Sequence, residues 1–150
     1  MMMVFFYLII LITQAVAAPT PFPPFPFPQG KYGVVQLRPA YLRLETTFAT
    51  IGGVHRVHLR LTCGPSTTRG TRSSWDGWFD IIRGQLPNLF TMKEYLTSEQ
   101  YASLFSFYKA HCGRGQGSRG DLAVFSKDPN SNKYATRLGK DTIFLQPDIL

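Results

Sequence analysis

The feature that most limits the fold of this chain is a pair of alternating runs on either side of Gly52-Gly53. The runs are YLRLETTFATI and VHRVHLRLTC, and two glycines between alternating runs are typical of a tight hairpin turn. When Ile51 is placed opposite Val54, one face of the hairpin is apolar and the other polar, whereas a slip by one residue mixes the faces. The sequence therefore predicts an antiparallel hairpin over residues 41–63, with these residues on its buried face: Leu42, Leu44, Thr46, Phe48, Val57, Leu59, Leu61 and Cys63.

The chain contains two cysteines, Cys63 and Cys112. An even count in an exported protein favours a disulfide, and only one pairing exists. Closing a loop of about 50 residues in this way is expected to stabilise the fold by roughly 4 kcal/mol. There is no CxxC motif and the histidines are scattered, so we expect no zinc site and no other metal or cofactor.

The beginning of the chain is typical of a secretory signal peptide. Residues 1–18 carry no charge, and their apolar run ends in the small residues AVAA. A membrane-spanning helix needs roughly 20 apolar residues, which is more than this run provides. We therefore expect cleavage after Ala17 or Ala18, an extracellular protein, and no transmembrane segment in the mature chain.

Residues 19–30 alternate between Pro and Phe and form a separate segment. Proline removes backbone donors and favours the polyproline II conformation, so the segment is predicted to be an extended leader. We expect it to be a spacer, and the alternative is that its phenylalanines dock on the domain or on a partner. Residues 31–150 are expected to form a single domain.

Two helices are predicted after the hairpin. The first would begin after the N-cap candidate Ser74 and end at Gly84, and the second would begin with a capping box of Thr97 and Gln100 and end at Gly113. Apolar residues recur at helical spacing in both segments: Trp75, Trp78, Phe79 and Ile82 in the first, and Tyr101, Leu104, Phe105 and Tyr108 in the second.

Short β-prone runs complete the pattern, and they are residues 34–37, 122–125, 134–138 and 142–145. Turn-forming residues in the segment DPNSNK separate the run 122–125 from the run 134–138. We therefore expect an α+β fold, in which a small antiparallel sheet of the N-terminal hairpin and the C-terminal strands packs with two helices and is held by one disulfide.

The first candidate site is the triplet Arg119-Gly120-Asp121, followed by Leu122, in the glycine-rich segment GRGQGSRGD. The triplet resembles the RGD motif with which extracellular ligands engage integrins. An exposed carboxylate can complete the coordination of a metal on the receptor, while the guanidinium reaches an acidic pocket. The alternative is a solvated loop whose glycines only reverse the chain.

The second candidate is the polar face of the hairpin, which carries Arg43, Glu45, Arg56, His58 and Arg60. This set resembles the sheet-face sites of small secreted ribonucleases, although the order of elements differs. His58 and Glu45 would exchange protons with the 2′-hydroxyl and the leaving oxygen, and Arg60 would hold the phosphate. The alternative is an ordinary amphipathic hairpin with cross-strand ion pairs on its solvent face.

The chain is basic, which either serves solubility without a specific anionic partner or attracts one. The chain has 16 Lys and Arg residues against 9 Asp and Glu, a formal net charge of +7, which attracts polyanions such as RNA, acidic glycans or anionic lipids. GxSxG, HExxH and P-loop motifs are all missing from the sequence. We therefore expect a small secreted, effector- or toxin-like protein that binds a protein or cell-surface receptor. The sequence leaves the partner and the oligomeric state open.

Overall fold

The computed structural model describes residues 23–65, 70–115 and 117–147, and the signal-peptide prediction for residues 1–18 lies outside them. The chain forms a closed antiparallel barrel of eight strands in sequence order, in which β1 pairs with β8. One α-helix, α1, lies between β5 and β6. The elements are β1 (Gly30–Gln36), β2 (Tyr41–Ile51), β3 (Val54–Gly64), β4 (Ser73–Arg83), β5 (Leu89–Met92), a 3₁₀ turn (Tyr95–Thr97), α1 (Glu99–His111), β6 (Val124–Lys127), β7 (Tyr134–Leu138) and β8 (Asp141–Pro147).

The predicted α+β fold with two helices is wrong, although its N-terminal hairpin is right. The register of β2 and β3 is the predicted one, from Ile51 opposite Val54 to Leu42 opposite Cys63. The same alternation of inward and outward residues continues in β4, β7 and β8. A sheet that closes on itself leaves no unpaired edge strand, so the hairpin is one part of a single continuous wall.

The segment predicted as the first helix is strand β4, and the reason lies in Gly77. Buried or half-buried positions alternate along β4 at Trp75, Gly77, Phe79 and Ile81. A glycine in this series hides the two-residue period, while the outward Trp78 and Ile82 create an apparent helical spacing. A Cβ at Gly77 would lie 2.5 Å from Gln100 Nε2 and 2.6 Å from the Trp75 ring, so a side chain does not fit there.

The second predicted helix is confirmed as α1, but its start differs by one residue. The N-cap is Ser98, not Thr97, and its side chain accepts a hydrogen bond of 3.2 Å from the backbone N–H of Tyr101. Tyr101, Leu104 and Tyr108 are buried against the barrel. After the helix, Gly113 has the left-handed φ of 57° that the sequence predicted.

Because the strands are antiparallel, their loops alternate between the two ends of the barrel, which we call the helix end and the leader end. At the helix end, α1 packs against β3 and β4, and the predicted disulfide joins Cys63 of β3 to Cys112, with a Cα–Cα distance of 4.8 Å. At the leader end lie the β2–β3, β4–β5 and β6–β7 turns. The interior between the ends is filled by side chains, including the aromatic residues Tyr32, Phe48, Phe90, Phe125 and Tyr134.

The described part of the leader, residues 23–29, packs on the barrel as the docking alternative proposed. The Phe27 ring stacks on His55 with centroids 3.6 Å apart, and the Arg83 guanidinium lies 4.6 Å from the same ring. The backbone N–H of Phe25 donates to Pro87 O at 3.3 Å. Among the described residues, no helix has the length and apolar character that crossing a membrane requires.

Candidate functional site

The carboxylate of the RGD triplet is buried at the helix end. Asp121 is 3% exposed, and its oxygens accept hydrogen bonds from Ser118 N at 2.8 Å, Gly139 N at 2.7 Å and Arg137 Nε at 3.1 Å. Leu122 is 2% exposed and has a left-handed φ of 61°. The prediction that this loop presents the carboxylate to solvent is therefore wrong, because Asp121 is a buried acceptor that organises the loop.

Tyr101 of α1 fixes the backbone of the same loop. Its hydroxyl accepts a hydrogen bond from Gly120 N at 3.0 Å and donates one to Asp121 O at 2.7 Å. Burial raises the pKa of Tyr101 to about 12, and the nearby Asp121 charge acts in the same direction. The hydroxyl therefore stays neutral and keeps its donor role at physiological pH.

Arg119 differs from the other residues of the triplet because its side chain is exposed. Among the described residues, no hydrogen bond or ion pair engages its guanidinium. The side chain lines a groove of about 360 Å³ on the outer face of β5–β8, together with Tyr95, Gly120 and Arg137. We call this the arginine groove.

The polar groups of the arginine groove converge at Gly120, which has a φ of +94°. A Cβ on this residue would lie 3.4 Å from the Tyr95 hydroxyl and 3.7 Å from Arg137 Nη2. Asp121 balances the charge of Arg137 through their ion pair at 3.1 Å, which leaves the Arg119 charge uncompensated. The groove thus offers guanidinium and phenol donors to an anionic group.

The polar face of the hairpin is crossed by ion pairs to β4. Arg56 pairs with Asp80 at 2.9 Å, and His58 Nε2 lies 3.2 Å from Asp76 Oδ2. Asp76 and Asp80 lie there because β4 is a strand, and the helix predicted for this segment does not place them beside the hairpin. The cross-strand ion pairs of the amphipathic-hairpin alternative are present.

The residues of the predicted ribonuclease site nevertheless share one depression. Glu45, His58 and Arg60 line a hollow of about 190 Å³ together with Lys31. Glu45 is held by Arg43 at 2.9 Å and by Arg60 at 3.9 Å, so its charge is compensated. The hollow brings an acid–base pair next to two cations, but it is small for a nucleotide.

Comparison with known proteins adds no relative: no protein-family model, curated protein or solved structure matches this chain. Over residues 23–65, 70–115 and 117–147, no group of three or more His, Cys, Asp or Glu side chains is arranged to hold a metal ion.

Proposed function

We propose that this protein acts outside the cell as an effector-like binding protein, and that the arginine groove is its contact surface for an acidic glycan. The observation that carries the proposal is the exposed Arg119 guanidinium, which faces the groove without a partner among the described residues. A planar guanidinium pairs with carboxylate or sulfate oxygens through two parallel hydrogen bonds.

The composition of the arginine groove favours an acidic glycan over RNA. Proteins that bind single-stranded nucleic acid combine a basic track with several aromatic stacking platforms. The groove has one aromatic side chain, Tyr95, and its other lining groups include the hydroxyls of Ser126 and Thr142. Hydroxyl groups and guanidinium donors match the hydroxyls and acidic groups of a glycan.

The test is the binding of a heparin hexasaccharide by calorimetry at physiological salt. Arg119→Ala should weaken binding about tenfold, since a lost charge-assisted hydrogen bond contributes more than 1.4 kcal/mol. Arg119→Lys should bind with an affinity between those of the wild type and Arg119→Ala, because lysine keeps the charge and loses the paired hydrogen bonds of the guanidinium. Arg38→Ala is the matched control, since Arg38 is exposed in the β1–β2 loop, away from the groove.

Two results would overturn this proposal. One is an equal loss of affinity in Arg119→Ala and Arg38→Ala, which would reduce the interaction to net charge. The other is the absence of measurable hexasaccharide binding by the wild-type protein.

The second candidate function is RNA hydrolysis, which is favoured by the shared depression of Glu45, His58, Arg60 and Lys31. His58 and Glu45 would be the acid–base pair, and the cations would hold the phosphate. If this is the function, His58→Ala abolishes cleavage of single-stranded RNA, while His111→Ala on the distant end of α1 retains it. Negligible cleavage by the wild-type protein would remove this candidate.

A further inference from the structure

A second groove lies between β4 and the segment that leads into α1, beyond the point where β5 ends. Its volume is about 430 Å³, which is within the range of small-ligand sites. We call it the Trp78 groove, and the lining residues used below are Trp78, Asp80, Lys93, Glu94, Thr97 and Gln100.

The aromatic wall of this groove is Trp78, a large apolar side chain that is nevertheless 41% exposed. His58 contacts it from β3, with ring centroids 4.8 Å apart. An exposed indole held in position by a neighbouring ring is a flat surface with a negative π face. The C–H groups of a sugar ring carry partial positive charge and pack on such a face.

The polar wall is tied to the barrel before any ligand binds. The backbone N–H of Lys93 donates to Asp80 O at 2.8 Å, and Thr97 donates to Glu94 O through both its backbone N–H and its hydroxyl at 3.1 Å. Glu94 has a left-handed backbone with φ 51° and ψ 31°, although it is not a glycine. Backbone strain of this kind is concentrated at binding and catalytic sites.

The side chains of this wall have unused hydrogen-bonding capacity. Among the described residues, no hydrogen bond or ion pair engages the Glu94 carboxylate, the Lys93 ammonium or the Gln100 amide. Arg56 bonds to Asp80 Oδ1 and leaves Asp80 Oδ2 available. The absence of a side chain at Gly77 lets the Gln100 amide lie against β4, at the floor of the groove.

We propose that the Trp78 groove binds a neutral hexopyranose unit of an oligosaccharide. The ring packs on Trp78, and its hydroxyls bond to the carboxylates of Asp80 and Glu94 and to the Gln100 amide. A nucleotide is disfavoured, because its phosphates would face the two carboxylates of Asp80 and Glu94 against the single ammonium of Lys93. This proposal does not depend on the arginine groove, because a neutral sugar carries no charge for Arg119 to recognise.

The experiment titrates the full mature protein with cellotetraose, maltotetraose and N-acetylchitotetraose, observed by saturation-transfer NMR. At least one of these should bind saturably, and Trp78→Ala should weaken binding about tenfold or more. Glu94→Gln should weaken binding without removing the stacking surface. Ile82→Ala is the matched control, since Ile82 is an exposed apolar residue on the same face of β4 and lies outside the groove.

Thermal unfolding of each variant checks that it is folded, and Glu94→Gln preserves the test if Trp78→Ala does not fold. Arg119→Ala should bind the neutral sugars as the wild type does, which separates this groove from the proposed function. The proposal is overturned if no tetrasaccharide binds, or if Trp78→Ala and Glu94→Gln bind as tightly as the wild type.

Discussion

The two ends of the barrel are closed by different kinds of interaction. The helix end is held by the buried disulfide of Cys63 and Cys112 and by the hydrogen bonds of Asp121. The leader end is held by ring contacts, in which Phe27 stacks on His55 and packs 5.5 Å from Phe90. One end is therefore fastened covalently and by buried polar groups, and the other by ring contacts and by hydrogen bonds of the leader at the surface.

The difference indicates where the molecule opens first. Local opening requires the least free energy where few buried groups and no covalent link must be broken. The arginine groove is connected to the fastened end, because Gly120 bonds to Tyr101 and Arg137 bonds to Asp121. We therefore expect the proposed contact surface to be rigid and the leader to be the part that detaches.

The largest expected effect comes from removing the disulfide. A Cys63→Ser and Cys112→Ser double variant should lose about 4 kcal/mol of unfolding free energy, because the cysteines are 49 residues apart in sequence. Urea unfolding measures this loss. Native-state hydrogen exchange should become faster at α1 before it changes at residues 23–29. A loss below about 1 kcal/mol would show that the helix end does not depend on its covalent link.

The sequence predicted local features of the barrel better than contacts between distant segments, for a physical reason. Paired cysteines and a capped helix are local signals, and the register of β2 and β3 is set by alternation on both sides of one turn. Barrel closure depends on pairing between β1 and β8, which are far apart in sequence. The docking of Phe27 depends on the ring of His55, and the spacing of residues along the sequence does not predict this contact.

Residues of the candidate sites show the same limit. A glycine-rich loop is typical of an exposed segment, whereas the burial of Asp121 is caused by donors from its own loop and from the β7–β8 hairpin. Asp80 and Trp78 lie at the candidate sites because β4 is a strand. A helix over the same residues would have placed them differently. Contacts between distant segments, not local patterns, decided both outcomes.

The second prediction concerns the polar fastening of the helix end. Asp121→Ala should lower the unfolding free energy by about 3 kcal/mol, because it leaves two backbone N–H groups, those of Ser118 and Gly139, without their buried acceptor. Urea unfolding measures the loss, with Asp141→Ala as an exposed carboxylate control at the start of β8. If the two variants are equally stable, the carboxylate of Asp121 is not a structural acceptor.

The smallest of these effects is expected at the leader end. Phe27→Ala should lower the unfolding free energy by about 2 kcal/mol, because the ring is only partly buried and its stacking on His55 is lost. Phe144→Ala is the control, since Phe144 is 58% exposed on β8 and should change stability by less than about 0.5 kcal/mol.

Hydrogen exchange decides whether the two ends act independently in the Phe27→Ala variant. Amides of the β2–β3 and β4–β5 turns should exchange faster, while the amide of Gly120 keeps its protection through Tyr101. Combining Phe27→Ala with the cysteine double variant should give additive losses, since distant sites without shared partners behave independently. If Gly120 loses protection together with the turns, the barrel transmits the loss of the leader from one end to the other, and the contrast between a fixed and a detachable end fails.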